Sequence, residues 1–239
     1  MADKQEWKGE SYEAFRERIF GTPYMVWHDG PGVSGSLRRE GEEGEHNRAM
    51  LTEGAEGQDY AAIVGWEAFD PVGGVIVLKP LVKTARRPEF VGRLVEYLQK
   101  HDKHASKADI AERETLLADV IANSGSFASL DALMTSSKVP SREVVESLLK
   151  KVEGKHYLTR YHAANSLLKM VKGKKAGISK HKKIFRGIIS RIGEDNKELP
   201  NNDEDRARYA KTAKTLRGMV SRRWPMLKLK LAVKKITKK

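Results

Sequence analysis

LTRYHAANSLLKMV, residues 158–171, returns its apolar side chains at helical spacing, with Leu158, Tyr161, Ala164, Leu168 and Val171 on one stripe. A stripe of that kind buries one face of a helix against neighbours. Working back towards the N-terminus, SREVVESLLKKV (141–152) opens with Ser141 after Pro140, a good N-cap. Glu143 then sits in the first turn, where negative charge suits the helix dipole. Residues 109–123 set Ile110, Leu116, Leu117, Val120 and Ile121 in a further helical pattern, after which 127–134 reads as a short helix. In PEFVGRLVEYLQKH (88–101), Phe90, Val91, Leu94, Tyr97 and Leu98 recur at helical spacing. Residues 48–56 and 60–69 read as a helix pair turned at Gly57 and Asp59, with Asp70 and Pro71 ending the second. A helix is expected over 74–85, although the apolar run VIVL at 75–78 also suits a strand.

The ends of the chain are less regular. Residues 1–20 read as a short helix with Trp7, Tyr12, Phe15, Ile19 and Phe20 on one side. Residues 21–46, dense in Gly and acid, read as a long mobile loop whose start, Tyr24 to Trp27, is a candidate to pack on a core. Beyond 171, a helix is expected over 179–192, with Ile184, Phe185, Ile188, Ile189 and Ile192 committed to a core. Its other faces carry Lys180, Lys182, Lys183, Arg186 and Arg191. The last long helix is expected over 203–223, opened by Asp203, Glu204 and Asp205 and closed by Arg217, Arg222 and Arg223. Trp224 and Pro225 are expected to stop it. The tail MLKLKLAVKKITKK (226–239) alternates as a strand does, yet also permits a basic amphipathic helix or disorder.

Helices of this length joined by short turns are what a stacked helical repeat requires. DYAAIVGWEAFDPVGGVIVLKPLV (59–82) resembles a HEAT-type unit, an Ala-rich helix followed by Asp-Pro and a Val/Leu helix. Residues 158–171 are similar to the Arg-x-x-Ala-Ala-x-x-Leu helix of such repeats through Arg160, Ala163, Ala164 and Leu167. The resemblance covers about residues 47–220, without a clean period and without Asp-Pro in the second stretch. The fold class expected is all-α, a short HEAT-like solenoid or an irregular helical bundle with a loop-rich N-terminal segment. Four regions follow: an irregular aromatic, Gly-rich and acidic segment (1–46), a near-neutral to acidic repeat region (47–154), a basic helical region (155–225) and a basic tail (226–239).

Charge divides the chain sharply. Residues 155–239 hold 25 Lys and Arg against 6 Asp and Glu, whereas 1–154 hold 20 against 26. The net charges are +19 and −6, so the overall +13 conceals two different surfaces. Clustered charges reinforce one another within a Debye length of about 8–10 Å, which points to an anionic partner. The candidate contacts are Lys172, Lys174, Lys175, Lys180, Lys182, Lys183 and Arg186, in a turn and the following helix start, with Arg222 and Arg223 further on. Lysine supplies point charges without a planar fork, which suits phosphate backbones more than base edges.

No catalytic signature accompanies them. The stretch GPGVSGSLRR has neither the Lys nor the hydroxyl that a P-loop needs, and no Gly-x-Ser-x-Gly elbow occurs. His101 and His104 could share an ion only if Asp109 or Glu112 joined them, and surface histidines are the simpler reading. The run Glu40, Glu42, Glu43 and Glu45 reads as solvated. Trp66 reads as core, and Trp224 either caps the last layer or stacks on a partner. No metal or cofactor is expected. Zero Cys fits a reducing compartment. No apolar h-region opens the sequence and no apolar run approaches the roughly 20 residues that span a bilayer, so a cytoplasmic protein is expected. The function expected is a non-catalytic module that binds nucleic acid, DNA or RNA, through its backbone. The alternatives are an adaptor for an acidic protein, a peripheral membrane protein held by its tail, and, from the HEAT-like resemblance, a DNA glycosylase.

Overall fold

The computed structural model describes residues 7–22, 31–38, 40–124, 130–173, 175–195 and 197–236, without the side chains of 130, 131 and 225–236. Tyr24 to Trp27, Gly30 and Phe127 lie outside the described residues. Among the described residues the chain is all-α: eleven α-helices, three short 3-10 turns and one isolated bridge between Ile192 and Glu198. The strand reading of 75–78 is therefore replaced by helix. The chain forms two compact units, residues 1–106 and 107–239.

In the first unit, α1 (Tyr12–Phe20), α2 (Gly41–Glu56), α3 (Tyr60–Phe69), α4 (Gly73–Leu78) and α5 (Pro88–His101) surround one core. The apolar helix α3 is its centre, packing on α2, α4, α5 and the 3-10 turn Gly35–Arg38. Asp59 starts α3 by accepting the Ala61 N–H at 2.9 Å, and Asp70 starts α4 by accepting that of Gly73 at 2.8 Å. Trp66, on α3, is fully buried. α1 covers only the second half of the expected 1–20 helix, with Phe15, Ile19 and Phe20 buried and Trp7 left in a preceding turn. The helix expected over 74–85 divides into α4 and a 3-10 turn, Lys79–Lys83, where Pro80 lacks the N–H that a continuing helix would use.

α2 starts at Gly41, not at Arg48, so the acidic run belongs to a helix and is not a solvated loop. Glu42 and Glu43 stand in its first turn, where exposed N–H groups favour negative charge, and Glu43 reaches Arg18 at 3.8 Å. Arg18 also pairs with Glu10 at 2.6 Å and donates to the buried Asn47.

The second unit contains α6 (Lys107–Asn123), α7 (Leu130–Ser136), α8 (Arg142–Val152), α9 (Tyr157–Lys172), α10 (Lys182–Ile188) and α11 (Asp203–Ile236). α6 packs on α7 and α8 on α9; α6 also lies on α8, and α7 on α9. Two helix pairs thus stack like on like. The third departs from this pattern, because α10 has seven residues and α11 has thirty-four. α11 lies on α8 as well as on α9 and α10.

Two expectations are corrected here. α10 ends at Ile188, so Ile189 and Ile192 leave the stripe; Ile192 is 55 % exposed, and Ile184 and Ile188 alone of that set are fully committed to the core. α11 runs through Pro225 to Ile236. Proline removes one backbone hydrogen bond and crowds the preceding turn, yet the following Leu, Lys and Ala residues are strong helix formers whose alternation imitates a strand.

α9 holds the residue on which this unit turns. Arg160 is completely buried, with no carboxylate in contact. Its guanidinium donates to the carbonyls of Ile188 at 2.9 Å, Gly154 at 2.9 Å and Lys155 at 2.6 Å, and to Ser190 Oγ. Its other face lies 4.0 Å from the Tyr209 ring centroid on α11. Replacing it by Met takes its donor from the buried Ile188 carbonyl and removes the links to Gly154, Lys155 and Ser190. Arg160→Met is expected to lower unfolding stability by about 3 kcal/mol or more, and Arg160→Lys, lacking the fork, to restore little of it; urea denaturation measures both.

Candidate anionic-partner interface

The described residues of the basic segment between α9 and α11 place their lysines around a buried foundation. α9 ends at Gly173, whose φ of 93° belongs to the left-handed region that glycine adopts without strain, and its N–H closes on Lys169 O at 2.9 Å. The chain then turns back, Ala176 N–H donating to Gly173 O at 2.9 Å. Ile178 is fully buried, and its N–H donates to Asn165 Oδ1 on α9 at 3.1 Å. A 3-10 turn, Ile178–Lys180, leads to His181 and α10.

α10 is fastened in turn to α11. Ile184, Gly187 and Ile188 are buried, Thr212 Oγ1 donates to Gly187 O at 3.2 Å, and a Cβ at Gly187 would collide with that hydroxyl. Lys172, Lys175, Lys180, Lys182, Lys183 and Arg186 are exposed around this scaffold; Lys174 lies outside the described residues. Burial and then the nearby Lys172 charge lower the pKa of His181, so the two basic residues on either side of the turn share one field. α10 is seven residues long, and its first turn holds Lys182 and Lys183 and no acid.

Arg222 and Arg223 are exposed on α11, with Arg222 ten residues, about 15 Å of helix, beyond the Thr212 contact. They stand within a continuing helix and do not close it. Trp224, half-buried, is likewise mid-helix. Two cations that the sequence reading passed over, Lys211 and Lys214, are exposed on the same helix; their spacing from Arg222 in a helical register was the available signal.

Four of the six acids of 155–239 are already engaged, while Glu194 and Glu204 stand exposed. Asp205 takes Arg191 at 2.8 Å and Arg208 at 2.7 Å, and exchanges backbone-to-side-chain hydrogen bonds with Asn202, each capping the start of α11. Asp195 pairs with Lys197 at 3.0 Å and Asp203 with Arg206 at 3.1 Å. Glu198 accepts from Ser190 Oγ at 3.0 Å, and on α8 Glu146 holds Arg217 through two bonds of 2.5 and 2.7 Å. Among the described residues, Lys172, Lys175, Lys180, Lys182, Lys183, Arg186, Lys211, Lys214, Arg222 and Arg223 have no carboxylate partner.

Other candidates are structural. His101 lies 3.5 Å from Glu67 Oε1, and no group of three His, Cys, Asp or Glu among the described residues could hold a metal ion. No helix among the described residues is long and apolar enough to cross a membrane.

The Arg191 hydrogen bond holds the Asp205 carboxyl below the ordinary aspartate value. A folded pKa lower than the unfolded value of about 3.9 means that the contribution is complete above about pH 4 and is lost as pH falls through the folded value. Asp205→Asn is therefore expected to melt at a lower temperature than the parent at neutral pH, with a flatter decline below about pH 4 in thermal melts followed by circular dichroism.

Comparison of the chain with protein families, with curated proteins and with solved structures found no match.

Proposed function

We propose that this chain is a non-catalytic binding module whose basic second unit contacts the phosphate backbone of nucleic acid. The observation that carries the reading is the set of ten exposed cations without carboxylate partners, in a region, 155–239, where four of the six acids are already paired or hydrogen-bonded. Six of them follow one another from the end of α9 through the turn anchored by Asn165 to α10, where like charges repel. Neutralisation by phosphates relieves that repulsion and releases condensed counterions. Most are lysines, which favours backbone contact over reading of base edges.

The architecture we read as HEAT-like. Its support is the like-on-like stacking of α6 with α8 and α7 with α9, and the burial of Arg160, Ala163, Ala164 and Leu167 on α9. A second reading, an adaptor for an acidic protein, is favoured by one further feature. Ile189, Ile192 and Leu199 are exposed on the segment that joins α10 to α11, an apolar margin that phosphates do not use.

Titration of labelled duplex DNA and single-stranded RNA, followed by anisotropy at several salt concentrations, tests the proposal. Binding at low salt is expected to weaken steeply with added salt. Reversal of Lys182 and Lys183 to Glu is expected to reduce the log–log slope by about 2 and the affinity at least about tenfold. No binding at low salt, or binding indifferent to salt, refutes it; capture of an acidic protein that survives nuclease treatment favours the adaptor.

A further inference from the structure

α11 contains a glycine that packing does not require. Glycine weakens a helix interior, so it is expected where something needs the side chain to be missing. At Gly65 and Gly187 that need is internal: a Cβ would collide with Leu51 and Phe20 in the first case and with Thr212 in the second. At Gly218 the space is open. The nearest atom to a Cβ there is Arg222 Nη2, at 3.9 Å, an ordinary contact that would tolerate alanine.

That arginine is the second observation. Arg222 lies back along α11 over the bare backbone, its Nε donating to Gly218 O at 3.1 Å. The guanidinium is held at Nε, while Nη1 and Nη2 have no protein partner among the described residues. Lys214 is exposed one turn before Gly218, and Lys211 about two turns before. A fork already oriented, a flanking ammonium and the absence of a side chain beneath are what a phosphate needs to approach a helix closely.

We infer that Gly218, Arg222 and Lys214 form a phosphate position at which a nucleic-acid strand crosses α11. The inference rests on the nucleic-acid reading above and adds to it a specific contact outside the lysine cluster. Arg222 Nη1 and Nη2 grip one phosphodiester through two hydrogen bonds, Lys214 adds a point charge, and Gly218 lets the phosphate reach the helix surface.

Four variants in the full chain test it, titrated with duplex DNA and single-stranded RNA across a salt series. Arg222→Ala is expected to lower affinity about tenfold and to reduce the salt slope by about 1. Arg222→Lys is expected to keep the slope and still lose affinity, because the charge remains and the fork does not. Gly218→Leu, which changes no charge, is expected to raise the melting temperature and weaken binding at least about fivefold; Gly218→Ala is expected to raise the melting temperature similarly with a smaller loss of binding. A fold that gains stability while losing affinity separates a contact with the ligand from a structural role. Parent-like binding by Arg222→Ala and Gly218→Leu, with loss on reversal of Lys182 and Lys183, overturns this position and leaves the nucleic-acid reading standing. Absence of binding by the parent chain overturns both.

Discussion

A buried guanidinium that touches no carboxylate directly depends on geometry for its tolerance, and Arg160 supplies that geometry where α9, α10 and α11 meet. Burial lowers its pKa, which measures the desolvation that its acceptors must offset. The acceptors come from two separate turns, Gly154 and Lys155 before α9 and Ile188 and Ser190 after α10. Its π-face meets Tyr209 on α11. One side chain thereby ties the entry of α9, the exit of α10 and the start of α11, and the basic turn between α9 and α10 is a loop whose two ends are both fixed. A lysine would satisfy one or two of these carbonyls and stack poorly, so the position requires arginine for its shape as much as for its charge.

The two units differ in how their charges are used, beyond any difference in total. In the first, Glu10 holds Arg18 and His46, Asp59 holds Arg16, and Glu67 holds Lys100. Burial raises the Glu10 pKa, but the Arg18 and His46 contacts outweigh it and leave the carboxyl below its ordinary value. In the second, carboxylates are drawn into caps and structural arginines, and the lysines remain. Arg191 and Arg208 converge on Asp205 at the start of α11, whereas Lys182, Lys183 and Arg186 meet no acid. Arg160, Arg191 and Arg208 are employed within this unit for their forks, whereas its exposed lysines and Arg186, Arg222 and Arg223 remain as solvated charge.

That division also explains what was legible in the sequence. The helices α5, α8 and α9 follow from apolar spacing, and Trp66 and the exposed lysines stand where residue type alone places them. The failures share a physical cause, local pattern overridden by a tertiary or helix-end constraint. Ile189 and Ile192 continue a stripe that the chain abandons when α10 stops; the Ile188 carbonyl is claimed by Arg160 and that of Ile189 by Arg208. Glu42 and Glu43 look like loop acids because their value to a helix lies in its first turn, which periodicity does not report. Lys211 and Lys214 do not stand out in linear cation density, because α11 spaces its cations by helical turns. Arg160 is visible in the sequence as the arginine of the Arg-x-x-Ala-Ala-x-x-Leu pattern, but its burial is not, since nothing in a single sequence distinguishes a buried guanidinium from a solvated one.

An ordered basic turn behaves differently from a basic tail of equal charge. A disordered segment that binds polyanion loses backbone freedom at the moment of binding, about 1–2 kcal/mol for each residue fixed. Here Ile178, Asn165 and the α9 cap hold the backbone of 175–181 in place in the free protein, so that loss has been met by folding. What remains to be ordered is the outer part of each lysine side chain, and the repulsion among those ammonium groups is a cost of the free state that an anion removes. Both effects favour binding through differences between free and bound protein, without any new shape at the interface. On the proposed nucleic-acid reading, the same anchoring would restrict the partner: lysines on fixed positions match a phosphate spacing in few orientations, and a surface that cannot follow its ligand must be met by one that bends to it or already fits.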